Sequence, residues 1–309
     1  MLLAWLQLFG GLILLIFGGD FIVRSSVKIA TFLRVSPMVV GLTIVSFGTS
    51  FPELVVSVNA ALSGYPDISI GNVVGSNIAN LALVLGLTTL IRPMNVARHN
   101  ILFDWPFMLL VTFGFVLLSL DNFLVRWEGV FLLVSLFAYN IWSVLQGRTS
   151  FDDEIYQEKP LYTEVLRSVV ILIVSLVALV FGGDLIIDGA VSIARALDIQ
   201  ERVIAGTIIA LGTSVPELAT SLIALRKNEM GLSIGNLIGS NIFNILGILG
   251  VTSILTDIYV TQAVFEFDFY WVVLIPLVVL PVLVFNQKIG RILGALLLLS
   301  YFTYLYLVF

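Results

Sequence analysis

Two glutamates, Glu53 and Glu217, lie deep in apolar sequence, each closing the same short motif: Gly48-Thr49-Ser50-Phe51-Pro52-Glu53 and Gly212-Thr213-Ser214-Val215-Pro216-Glu217. An ionisable side chain inside a bilayer is expensive, so it faces a polar interior and takes a partner; two of them read as one cation site. Pro52 and Pro216 have no amide hydrogen, so each leaves the carbonyl four residues earlier without its helical donor. Such freed carbonyls are tolerated at membrane depth only where they line a cavity, and there they are hard ligands for sodium or calcium. Glu53 falls one turn beyond Thr49, on the same helix face.

A second motif accompanies the first. Gly71-Asn72-Val73-Val74-Gly75-Ser76-Asn77-Ile78-Ala79-Asn80 recurs as Gly235-Asn236-Leu237-Ile238-Gly239-Ser240-Asn241-Ile242-Phe243-Asn244. Both motif pairs share one offset, about 164 residues, the mark of an internal repeat. Asn72, Ser76 and Asn80 form one helical stripe, as do Asn236, Ser240 and Asn244, and the paired glycines allow close helix approach. Asn72, Asn77, Asn236 and Asn241 serve equally well as helix–helix glue. Asn80 and Asn244, deepest and one turn from a serine, read as part of the site. Asp20 and Asp184 end matching Phe-Gly-Gly-Asp sequences and read as structural or gating groups rather than ligands.

These residues need a membrane scaffold to hold them. Of 309 residues, 59% are hydrophobic and only 11% charged, against about 25% charged in soluble domains. Spans long enough to cross a bilayer fall at about 2–30, 37–62, 68–91, 101–119, 125–145, 164–195, 202–225, 231–255, 267–285 and 290–308. The expected fold is therefore an all-α integral membrane protein with ten transmembrane helices, five per repeat, helices two and seven being broken at the site. An odd number of crossings per repeat inverts the second copy relative to the first. Residues 1–146 form repeat one, the polar, acidic stretch 147–160 a linker, and residues 161–309 repeat two. Most basic residues, among them Lys28, Arg34, Arg92, Arg98, Lys227 and Arg291, fall on the linker's side, which makes the linker cytoplasmic and both termini extracytoplasmic. The first residues lack a basic leader, so the first span is expected to be retained. Trp5, Trp105, Trp127 and Trp142 stand near span ends, where an indole can straddle lipid and water.

Several chemistries are excluded or disfavoured. There is no cysteine and a single histidine, His99, in a polar connection, which argues against thiolate or imidazole metal sites. A net charge of −5 argues against nucleic acid. An intramembrane enzyme lacks an evident nucleophile, and no cofactor is implied. All-oxygen ligand sets suit calcium, at six to eight oxygens and ~2.3–2.6 Å, and sodium of similar size, better than magnesium. Two ionised glutamates resist translocation when bare, and calcium or sodium ions cancel their charge. A site that moves only when neutralised exchanges ions rather than leaking them. Proton/calcium exchange on the same scaffold and a passive cation channel remain as rivals.

Together the two motifs resemble the sodium/calcium exchanger group of the cation/calcium antiporter superfamily, over essentially the whole chain. The resemblance implies an electrogenic antiporter of the cell membrane, working as a monomer by alternating access, in which helices one and six slide across a core. By motif position it implies Glu53 and Glu217 as principal calcium ligands, with main-chain carbonyls from Thr49 and Thr213. Ser50, Ser214, Ser76 and Ser240 would build sodium sites, carbonyls near Ser46 and Ala210 would assist, and Asn80 and Asn244 would complete the centre. Relatives often carry Asp at one of these last two positions, including the branch that co-transports potassium. Asn at both here leaves two formal charges, matching one calcium and implying potassium independence.

Overall fold

In hydrocarbon each backbone donor and acceptor needs a partner within the chain, so long apolar runs close into helices. The computed structural model describes residues 2–149, 160–197, 212–262 and 264–308. The chain runs through α1 (Leu2–Leu33), the bent pair α2 (Pro37–Thr49) and α3 (Phe51–Leu62), α4 (Ile68–Ile91), α5 (Arg98–Asp121) and α6 (Arg126–Gly147). It continues through α7 (Tyr162–Ala196), the shorter α8 (Val215–Arg226), α9 (Met230–Leu255), α10 (Val264–Asn286) and α11 (Arg291–Val308). Among the described residues, 8 helices are long and apolar enough to cross a membrane, or 9 with the α2–α3 pair counted as one span. Of the expected seventh span only the part from Gly212 onward is described; Ala210 lies outside the described residues.

The two longest helices, α1 and α7, pack against each other along their length through small residues. A Cβ placed on Gly11 would lie 2.6 Å from the Gly182 carbonyl, and one on Gly182 would lie 3.0 Å from the Gly11 carbonyl. Backbones that close exclude any larger side chain. This pair has its own apolar cluster, including Leu15, Ile22, Leu172 and Leu179, which reaches the rest through α2, Ala224 of α8 and Leu232 of α9. The larger core lies among α4, α5, α9 and α10, where Val73, Met108, Ile238 and Val279 are buried together.

Contacts between the halves come in matched sets. Two-residue ribbons β1 (Met94–Asn95) and β4 (Lys288–Ile289) pair antiparallel, as do β2 (Phe123–Leu124) and β3 (Ile258–Tyr259). Gly86 of α4 meets Gly294 of α11, and Gly129 of α6 meets Gly250 of α9, each close to the other's carbonyl. Two acids are also matched, Asp104 buried and Asp268 half-buried: Tyr139 Oη donates to Asp104 Oδ1 at 2.8 Å, and Tyr304 Oη donates to Asp268 Oδ1 at 3.0 Å.

One expectation is corrected. Trp105 does not straddle an interface: it is fully buried, and its indole N–H donates to the Pro276 carbonyl of α10 at 3.0 Å. Next to Asp104, it packs into the bundle because α5 and α10 run side by side there. A buried indole needs an acceptor, and a main-chain carbonyl supplies it.

Candidate ion site

The chain bends by 44° between α2 and α3, with Ser50 at φ −87, ψ 9 between them and Pro52 in the first turn of α3. Ser214 takes nearly the same conformation, φ −89, ψ 5, before Pro216 in the first turn of α8. Proline is accommodated at a helix start, where its missing donor has no partner to lose, so each motif places a break one turn ahead of its glutamate. Glu53 and Glu217 therefore open α3 and α8, and both are buried, at 1% and 0% exposure. They lie within electrostatic reach of each other. Ser50 Oγ donates to Glu217 Oε1 at 3.0 Å, so the break in one half holds the acid of the other.

The second motif packs around them from α4 and α9. Thr49 Oγ1 donates to Asn236 Oδ1 at 3.2 Å and lies 3.5 Å from Ser240 Oγ. Gly239 brings α9 against α2 so closely that a Cβ there would sit 2.7 Å from Ser46 Oγ. Asn72 Nδ2 donates to the Glu53 carbonyl at 3.1 Å and to Ser57 Oγ at 2.9 Å. Asn80 and Asn244 stand at the start of wide π turns, Asn80 second in Ala79–Val84 and Asn244 first in Asn244–Leu249, a distortion that frequently marks functional sites. The turn of Asn80 packs on α8, and the turn of Asn244 packs on α3, each against the glutamate-bearing helix of the other half.

Buried polar atoms are normally hydrogen-bonded, so exceptions are informative. Glu53 Oε2, Glu217 Oε2, Asn80 Oδ1, Asn244 Oδ1 and Ser214 Oγ are buried with no partner among the described residues. These five are oxygens of the two motifs; the hydroxyls of Ser26, Ser69, Thr220, Ser221 and Ser233, and Asn236 Nδ2, are also buried without a partner among the described residues, but none of those atoms is a carboxylate or amide oxygen. Among the described residues no group of three or more His, Cys, Asp or Glu could hold a metal. A cation here would take amide, hydroxyl and main-chain oxygens beside the two carboxylates, an arrangement suited to sodium and calcium.

The remaining expected residues lie outside these bonds to the two acids. Ser76 is buried on α4, and Thr213 is half-buried. The Ser46 carbonyl accepts the Ser50 amide at 3.0 Å, so helical bonding already engages it. Asp20 stands apart, paired with Arg24 at 2.7 Å and Lys227 at 2.5 Å. Reading by motif undervalued three groups. Asn77 accepts from Asn244 Nδ2 at 3.0 Å and donates to the Asn241 carbonyl at 3.2 Å, joining the halves. Asn236 reaches Thr49, and Ser57 holds Asn72. Ser57 has a signal in sequence: it recurs as Ser221 at the repeat offset.

Comparison with known proteins agrees over the full chain. The family model described as "Sodium/calcium exchanger protein" matches residues 3–145 and again 167–309. The putative antiporter CaxA of Alkalimonas amylolytica is 39% identical over 317 residues, covering 100% of this chain and 99% of the relative. The sodium/calcium exchanger MaX1 of Methanosarcina acetivorans is 30% identical, covering 97% and 96%. Among solved structures, the sodium/calcium exchanger from Methanococcus jannaschii matches with a TM-score of 0.85 at 36% identity, covering 99% of this chain and 98% of that one.

Proposed function

The chain belongs to the sodium/calcium exchanger family, a multi-pass membrane transporter of cations and calcium rather than an enzyme, and we propose that it exchanges sodium for calcium through the cluster around Glu53 and Glu217. The observation that carries this reading is the set of unpartnered buried oxygens on Glu53, Glu217, Asn80, Asn244 and Ser214. Two carboxylates balance one calcium or two sodium ions, so either cargo leaves the cluster neutral and able to cross. Glu53 and Glu217 act as the calcium ligands, with carbonyl oxygen from Thr49 and Thr213. Ser50, Ser214, Ser76 and Ser240, helped by carbonyls near Ser46 and Ala210, hold sodium, and Asn80 and Asn244 contribute amide oxygen.

The reciprocal ribbons and glycine contacts support two inverted five-helix repeats, residues 1–146 and 161–309, joined by a cytoplasmic linker at 147–160. The separate apolar cluster of α1 and α7 supports alternating access by sliding of that pair over the core. In this reading the protein works as a monomer in the cell membrane, with both termini extracytoplasmic, and needs no potassium.

Proteoliposomes loaded with sodium and diluted into labelled calcium test the reading. Uptake should require internal sodium, should not need potassium, and should fall at least about tenfold in Glu53→Gln, the loss expected when a charged ligand worth ~1.5–3 kcal/mol becomes neutral. Uptake driven equally well by a proton gradient without sodium would replace sodium as the counter-ion.

A further inference from the structure

A cavity of about 750 Å³ lies away from the acidic cluster, at the end of the bundle where the last third of α1, the first turns of α7 and the α8–α9 turn meet. Four cations line it: Arg24 and Lys28 from α1, Arg167 from α7 and Lys227 from the turn. Two carboxylates line it as well, Glu164 and Glu229. The charges are not equally available. Arg24 and Lys227 are held by Asp20, and Glu164 Oε2 accepts the Leu161 amide at 3.3 Å. Burial pushes the Glu229 carboxyl up from the ordinary carboxylate range, which weakens its hold on negative charge. Lys28 and Arg167 are exposed and have no ion-pair partner among the described residues.

The rest of the lining is unlike a site for a soluble anion. Phe21, Val27 and Ile171 form part of the wall. Phe21, Leu166 and Val170, beside the cations on α1 and α7, are large apolar side chains at 44%, 55% and 54% exposure. An anionic group with a hydrocarbon tail satisfies both halves of this surface, the phosphate at the cations and the chain along the apolar faces. Basic pockets between transmembrane helices on the cytoplasmic side suit such headgroups.

We propose that this cavity binds the phosphate headgroup of an anionic phospholipid, with Lys28 and Arg167 as its principal contacts. The lipid would then bridge α1 and α7 at one end. The site is independent of the ion-exchange reading.

The full-length protein in neutral detergent, titrated with phosphatidylglycerol or phosphatidylcholine and read by native mass spectrometry, tests the proposal. Phosphatidylglycerol adducts should form at about tenfold lower lipid concentration than phosphatidylcholine adducts, and Lys28→Gln with Arg167→Gln should erase that preference. The charge-keeping pair Lys28→Arg with Arg167→Lys should retain it, as should Arg98→Gln outside the cavity. Loss of the preference in the charge-keeping pair, or its persistence in the neutral pair, would overturn the assignment. Inorganic phosphate competing as well as phosphatidylglycerol would also overturn it, by showing a site for a soluble anion. Neither readout measures exchange, so a failure of the transport reading is distinguishable from a failure here.

Discussion

Ser50 and Ser214 occupy the same position in two copies of one motif and adopt nearly the same backbone conformation, yet their hydroxyls do different things. Ser50 Oγ donates to Glu217 Oε1 at 3.0 Å, whereas Ser214 Oγ is buried without a partner among the described residues. A hydrogen bond to a charged group contributes about 1.5–3 kcal/mol, so Ser50→Ala should lower stability in ion-free buffer by roughly that amount. Ser214→Ala removes no bond and should leave ion-free stability within ~0.5 kcal/mol of the parent. If its free oxygen serves a cation, the same variant should lose part of the stabilisation that sodium or calcium confers on the parent, because a ligand stabilises in proportion to its affinity. Thermal unfolding with and without each ion separates the two serines; equal behaviour in all conditions would remove Ser214 from the site. Glu217→Gln supplies the reference, keeping an acceptor for Ser50 while removing the charge, and should abolish stabilisation by calcium.

At the scale of helices, the packing of α2 on α9 is set by backbone contact. A Cβ on Gly235 would lie within clashing distance of the Met38 carbonyl, an atom that cannot swing aside. Gly235→Ala should therefore destabilise by ~1–3 kcal/mol or more, as overpacking does. Gly10→Ala, on α1 with nothing within 4 Å, should be neutral. Melting curves of the two variants check the contrast, and a neutral Gly235→Ala would mean that the helices are not held this close. Much of this arrangement was legible beforehand because the repeat wrote it twice: the breaks before Glu53 and Glu217, and the stripe of Asn236, Ser240 and Asn244. Of the paired glycines, Gly235 and Gly239 admit α2, whereas a Cβ on Gly71 or Gly75 would meet nothing within 4 Å among the described residues. What was not legible depends on which helices become neighbours. Tyr139 and Asp104 are separated by a connection and meet only because α5 and α6 turn back on each other. Trp105 has the spacing of an interfacial residue and is buried because α10 covers it. The bond from Asn244 to Asn77 crosses between halves, and no periodicity within either helix announces it. Ribbons of two residues are too short to leave a strand pattern.

For the whole molecule the decisive quantity is the charge that crosses per cycle. The cluster offers two carboxylates and, with Asn at both 80 and 244, no third acid among its motif residues. One calcium neutralises it, and so do two sodium ions; a third sodium held by serine, threonine and carbonyl oxygens brings a charge that nothing in the cluster balances. Exchange at two sodium ions per calcium is then electrically silent, while exchange at three moves one net charge. In the proposed electrogenic cycle the serines duplicated around the acids, Ser50, Ser76, Ser214 and Ser240, would supply oxygens for that extra ion, and its charge would be carried uncompensated. One charge moved through 100 mV is worth ~2.3 kcal/mol, so the calcium gradient sustained by a fixed sodium gradient should shift by up to about 50-fold for that change in potential. Proteoliposomes clamped with potassium and valinomycin measure this directly. A potential positive on the side that sodium leaves should increase calcium accumulation there, because each cycle then carries net positive charge out of that compartment. A calcium gradient indifferent to the clamp would fix the cycle at two sodium ions and reduce the duplicated serines to packing groups.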